Sequence, residues 1–213
     1  MDSQIINKEK GTEAKILDAA RNIFHTKGLA GARMQEIADE AGINKAMLHY
    51  YYRSKEQLFD AVFKEAIGRI FPIIVQILSY EIPLFDKIRI FVKEYIRLMR
   101  ENPYLPGFVI NEITQHPDKF ANLFAEKGIE FPKVFYDDIK NSAEKGEIIN
   151  IDPLMLIVNI IALCIFPVVA KPVIKGIYRL TEEDYNDFME KREYEVADFI
   201  INSISMNNKN GDK

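Results

Sequence analysis

Met34, Ile37, Ala38 and Ala41 recur at i, i+3, i+4 and i+7, and Gly42 follows at once. That spacing lines four apolar side chains along one face of a helix only about two turns long. A glycine at its exit supplies the left-handed residue that closes a helix C-terminus. Asn44 then starts another very short helix as its cap. Helices this short are stable only when packed on something larger, so the segment predicts a compact bundle around it.

The flanks supply that bundle. Ile16, Ala20, Ile23 and Phe24 share one face of a helix over residues 12–27, with Thr12 as its cap and Gly28 as its stop. Ser54 and Gln57 are spaced as a capping box before a long helix carrying Phe59, Phe63, Ile67, Ile70 and Ile74. Strand-like alternation of any length is absent, and Pro and Gly fall between helical segments. The expectation is an all-α chain. Its further helices are expected near 84–101, 103–115, 118–145, 153–175 and 182–206. Asp152-Pro153 and Thr181 are good start signals, and Pro106, Pro132, Pro167 and Pro172 should bend or split their helices. An N-terminal three-helix domain (10–70, with the helix-turn-helix at about 33–52) and a C-terminal helical bundle (71–213) are predicted.

Two short helices joined by a three- or four-residue turn with a glycine form a helix-turn-helix, whose second helix enters the DNA major groove. The stretch AGINKAMLHYYYRSK, residues 41–55, suits that role, with three tyrosines, a histidine, three Lys or Arg and no acid. Lys45 and His49 lie at i and i+4 and share a face, Ala46 is small enough to admit the groove, and Leu48 anchors the helix. Tyrosine hydroxyls and Lys55 can donate to phosphates, which would repel an acid. Tyr50, Tyr51 and Tyr52 are about 100° apart on a helix, so one must pack inward, and Tyr52 is assigned that role. Charge agrees: residues 1–55 net +2 in a chain of net −4.

Residues 16–62, ILDAARNIFHTKGLAGARMQEIADEAGINKAMLHYYYRSKEQLFDAV, resemble the DNA-binding domain of the TetR family of bacterial transcriptional regulators. The resemblance carries the first helix, the IA…AG core and turn, the Lys-x-x-Leu of the recognition helix and the aromatic-x-Ser-Lys-Glu after it. It implies base contacts from Gln35, Lys45, Ala46 and His49. It implies phosphate contacts from Arg33, Tyr51 and Lys55, and either kind from Tyr50, with Asn44 counted in the same DNA-facing set. The chain departs from the family where Ala32, Arg33, Met34 and Met47 replace Ser or Thr. The second helix should therefore lack its side-chain cap, at a cost of about 1 kcal/mol.

By the same resemblance the second domain encloses a cavity for a small, mostly apolar effector, whose binding releases a repressor from a palindromic operator. Candidate lining residues are Tyr95, Met99, Phe108, Asn111, Glu112, Phe135, Tyr136 and Asn159, polar or aromatic groups set in apolar surroundings. Homodimerisation is expected through about 153–175 and 182–206, with Tyr185, Phe188, Tyr194, Val196, Phe199 and Ile200 facing the partner. Two alternatives stay open: a second domain that serves only dimerisation or a protein partner, and a regulator that activates.

Other classes find little support. Cys164 is the only cysteine, so an intrachain disulfide and a cysteine-based zinc site are excluded and a reducing cytoplasm fits. Three histidines lack metal spacing, and no phosphate-cradling glycine loop occurs, so no enzyme, metal or cofactor is expected. Residues 153–170 have the length of a marginal membrane span, but Asn159 and Pro167 interrupt them and a buried helix is the expectation.

Overall fold

The computed structural model describes residues 2–115 and 132–206; within them, the side chains of residues 2–10, His25, Ile67, Arg69, Ile70, Tyr104, Phe108, residues 111–113 and Gln115 lie outside the description. Ten helices are described: α1 Asp2–Gly31, α2 Met34–Glu40, α3 Lys45–Tyr51, α4 Lys55–Leu78, α5 Leu84–Glu101, α6 Tyr104–Gln115, α7 Lys133–Glu144, α8 Pro153–Val169, α9 Lys171–Tyr178 and α10 Glu182–Ile204. The fold is all-α. A lone antiparallel bridge, Ile148 to Ser205, is the only β pairing among the described residues. The chain divides into two compact units, Met1–Ile70 and Phe71–Lys213, and α4 begins in the first and ends in the second.

In the first unit, Ile16, Ala20, Phe24, Ile37, Ala38, Leu48, Leu58 and Val62 form the core. Phe24 meets Phe59 edge to face at 4.6 Å between ring centres. Thr12 is not a cap, because α1 already begins at Asp2. Gly28 breaks α1 with φ 66°, and one further turn follows it. At the end of α2, Gly42 adopts φ 67°. Its N–H donates to the Asp39 carbonyl at 3.1 Å, and the Ile43 N–H donates to the Ala38 carbonyl at 3.0 Å. This pair of bonds is the Schellman closure, which satisfies two carbonyls that would otherwise be orphaned and turns the chain into α3.

In the second unit α5 packs along α10. Leu84, Ile88, Phe91, Val92, Ile96 and Met99 form the buried stripe of α5. Two ion pairs staple that stripe at its ends: the fully buried Lys87 with Asp138 of α7, and Arg100 with Glu193 of α10 at 2.7 Å. The Asp152 side chain caps α8, and Thr181 with Asp184 forms a complete capping box on α10. The expected helix over 153–175 is split: Pro167 lies in the last turn of α8, the chain turns at Ala170, and Pro172 opens α9. Pro106 does not break α6, because it falls in the first turn, where a missing N–H costs nothing. The expected helix over 118–145 appears as α7 from Lys133 on, and residues 116–131 lie outside the described residues. Among the described residues no single helix is long and apolar enough to cross a membrane; α8 and α9 pass on length and composition only as a pair bent by 67°.

Candidate nucleic-acid interface

The geometry of α3 follows from one anchor and one cap. Leu48 is its only buried side chain. At its start the Asn44 carboxamide oxygen accepts the Met47 N–H at 2.7 Å, and at its end the Tyr52 N–H donates to the Leu48 carbonyl at 2.8 Å. Asn44 is therefore engaged as a helix cap, not presented as a free base reader. Tyr52 turns inward as expected, half-buried, and its hydroxyl donates to Glu13 at 3.0 Å. Burial first, and then Glu13, push its phenol above the ordinary pKa, so it stays protonated.

The rest of α3 faces outward. Lys45, Ala46, Met47, His49 and Tyr50 are exposed, Tyr50 at 78 %. Tyr51 is half-buried and stands edge-on to Tyr50 at 5.5 Å. Lys45 and His49 have no hydrogen-bond or ion-pair partner among the described residues, so their donors are available for a ligand.

Behind α3 the expected contacts are modified by local pairing. Arg33 is exposed at the start of α2, which lacks a side-chain cap, as the loss of the usual hydroxyl implied. Lys27 holds Glu36 at 3.0 Å and, with the Arg33 backbone N–H, lowers its pKa. Gln35 is exposed, but its amide nitrogen donates to Asp39 at 2.8 Å, one turn on along the same helix. That bond uses one of its two amide hydrogens. Lys55 is half-buried and one of its three ammonium donors is spent on the Ala32 carbonyl at 3.2 Å, tying α4 to the turn before α2. The Ser54–Gln57 pair forms with a shift. The Gln57 backbone N–H donates to the Ser54 hydroxyl, while the Gln57 side-chain amide oxygen accepts from the Arg53 N–H, one residue earlier than a capping box requires.

The candidate ligand residues do not all share one interior. Tyr95 stacks on Phe91 at 5.2 Å and is half-buried, and Met99 and Phe135 are buried. Tyr136 is half-buried, with the Lys140 ammonium 4.9 Å from its ring centre. Asn159, by contrast, is exposed on the outer face of α8. It lines a groove of about 530 Å³ between α8 and α10, with Phe166, Arg192 and Phe199. The side chains of Phe108, Asn111 and Glu112 lie outside the described residues. Cys164 is buried, and burial pushes its thiol up to about 12, away from nucleophilic chemistry. Among the described residues no group of three His, Cys, Asp or Glu could hold a metal ion.

Residues 16–62 match the model of the bacterial regulatory proteins of the tetR family. The chain is 41 % identical over 56 residues to the HTH-type transcriptional repressor SCO4008 of Streptomyces coelicolor, a stretch covering 26 % of this chain and 29 % of that protein. The chain thus spans less than a third of that relative. It is 26 % identical over 153 residues to IcaR, the HTH-type negative transcriptional regulator of the biofilm operon icaADBC in Staphylococcus epidermidis, covering 67 % of this chain and 78 % of that one. Its fold is similar to the crystal structure of the transcriptional regulator FadR from Bacillus subtilis in complex with stearoyl-CoA: TM-score 0.62, 16 % identity, 90 % of this chain and 98 % of that chain.

Proposed function

The chain belongs, through residues 16–62, to the tetR family of bacterial regulatory proteins, and from that premise we propose that it is a sequence-specific DNA-binding transcriptional repressor. The observation that carries this reading is the outward face of α3. Lys45, Ala46, His49 and Tyr50 are held in exposed positions by a buried Leu48 and an Asn44 cap, and no acid stands on that helix. Base-edge readout falls to Lys45 and His49, for which guanine N7 and O6 are fitting acceptors. Arg33, Tyr51 and the remaining donors of Lys55 meet phosphates.

One recognition helix reads only a few base pairs, so a two-fold dimer on a palindrome follows. The partner surface is proposed on the outer faces of α8 and α10. Leu154, Met155, Val158, Phe166 and Phe199 are each more than half exposed there, an apolar patch unusual for a monomer. Tyr185, Val196 and Ile200 do not belong to it, because they are buried within their own unit. By analogy with the FadR complex, whose ligand is stearoyl-CoA, a mostly apolar effector is proposed for the second unit. It would act through α4, which is shared by both units, and by favouring a DNA-incompetent state by about 1–3 kcal/mol.

The test is selection of duplexes from a random pool, followed by titration of the recovered duplex at several salt concentrations. Palindromic sequences bound with steep salt dependence support the reading; recovery of no preferred sequence, or binding indifferent to salt, overturns it.

A further inference from the structure

On a helix each residue advances about 100°, so the outward surface of α3 can be laid out from its one buried position, Leu48. Ala46 and Tyr50 lie nearly opposite Leu48 and form the crest. Lys45 and His49 fall on one flank of that crest. Met47 and Tyr51 fall on the other. The two flanks differ in chemistry: one offers hydrogen-bond donors, the other a thioether chain and an aromatic ring. Met47 is 43 % exposed, although nothing about a short, well-capped helix requires an apolar side chain in water there. Its backbone N–H is bound to the Asn44 carboxamide at 2.7 Å, which holds its Cα in place while the side chain stays free.

We propose that Met47, with Ala46 beside it, is a thymine reader: its side chain packs against the C5-methyl group of a thymine in the major groove. This rests on the proposed DNA-binding function and adds a residue to it. Of the groups on base edges in the major groove, the thymine methyl is the apolar one, and it is read by apolar contact. An unbranched methionine has three rotatable bonds and a polarizable sulfur, so it can follow the methyl without a fixed geometry. The flank opposite reads hydrogen-bonding edges through Lys45 and His49. The half-site should therefore carry a thymine adjoining the base pair read by Lys45.

The experiment uses the unmethylated duplex recovered by selection from a random pool, with each thymine replaced in turn by uracil, which removes only the methyl group. In the parent protein, one thymine per half-site should show about a fourfold loss of affinity on replacement, the equivalent of roughly 0.8 kcal/mol for one buried methyl group. In Met47→Ala that penalty should vanish, in Met47→Leu it should persist, and in Lys45→Ala it should remain. Met47 is not part of the core, and equal melting temperatures of parent and variants confirm that folding is intact. If the selected duplex binds but no uracil matters, or if Met47→Ala keeps the full penalty, the proposal is wrong while DNA binding stands. If no duplex is selected, the functional reading fails and takes the proposal with it.

Discussion

The Tyr52 hydroxyl donates to the Glu13 carboxylate at 3.0 Å, joining residues 39 positions apart and fixing the end of α3 against α1. Tyr52→Phe removes this bond and should cost about 0.5–1.5 kcal/mol, typical for one net hydrogen bond. Its pH signature is specific. The folded-state phenol is raised above its ordinary 10.0, chiefly by burial. The unfolded chain therefore loses this proton first, and stability falls as pH rises past about 10. Thermal melting from pH 8 to 11 should show a shallower alkaline decline in Tyr52→Phe than in the parent.

Lys45→Ala and His49→Ala should each lose about 1–3 kcal/mol on the preferred duplex and much less on a random one, relaxing sequence preference. Competition binding with a panel of single-base variants measures this.

Lys55→Ala should behave differently. Losing a phosphate contact weakens every sequence alike and lowers the salt slope by about one unit. Losing the bond to the Ala32 carbonyl also lowers the melting temperature of the free protein. Both effects together, read by salt titration and by calorimetry, are the expected outcome.

Phe166→Asp and Phe199→Asp place charge on the proposed partner surface. Both side chains are 65 % exposed, so the fold of the single chain should tolerate them. Light scattering should give twice the 24.7 kDa chain mass for the parent and the single mass for the double variant.

Glu182 is held near 2 by hydrogen bonds from Lys171 first and Lys175 second, fastening α9 to the start of α10. A carboxylate depressed from its ordinary 4.5 contributes stability that is present above that value and is lost as pH falls toward 2. Glu182→Gln should flatten the acid limb of the melting curve between those limits. Its exposure means that salt should weaken the contribution in the parent.

Legibility from sequence divided along physical lines. Local chemistry was readable: the Gly42 turn, the Asn44, Asp152 and Thr181 caps, and the bounds of α5 all depend on residues within a turn of one another. The bond from Lys55 to Ala32 was not readable, because it joins residues 23 positions apart. Asn159 was misplaced for a different reason. Helix α8 is apolar on every side, so periodicity cannot say which face is buried. Leu156, Ile160 and Cys164 turned out to be the inner stripe, and Asn159 stands with the outer one. In α3 the motif points to Lys45 and His49, whereas the exposure of Met47 follows from Leu48 being the one buried side chain of that helix, a tertiary fact.

The single thiol makes the second unit a reporter on itself. Cys164 is fully buried in α8, and the first unit contains no cysteine. A thiol-reactive dye added to native protein can therefore label only molecules whose second unit has opened, and the labelling rate measures how often that happens. Effector candidates can be ranked by how far they slow that rate, with no DNA in the tube and before any operator has been found.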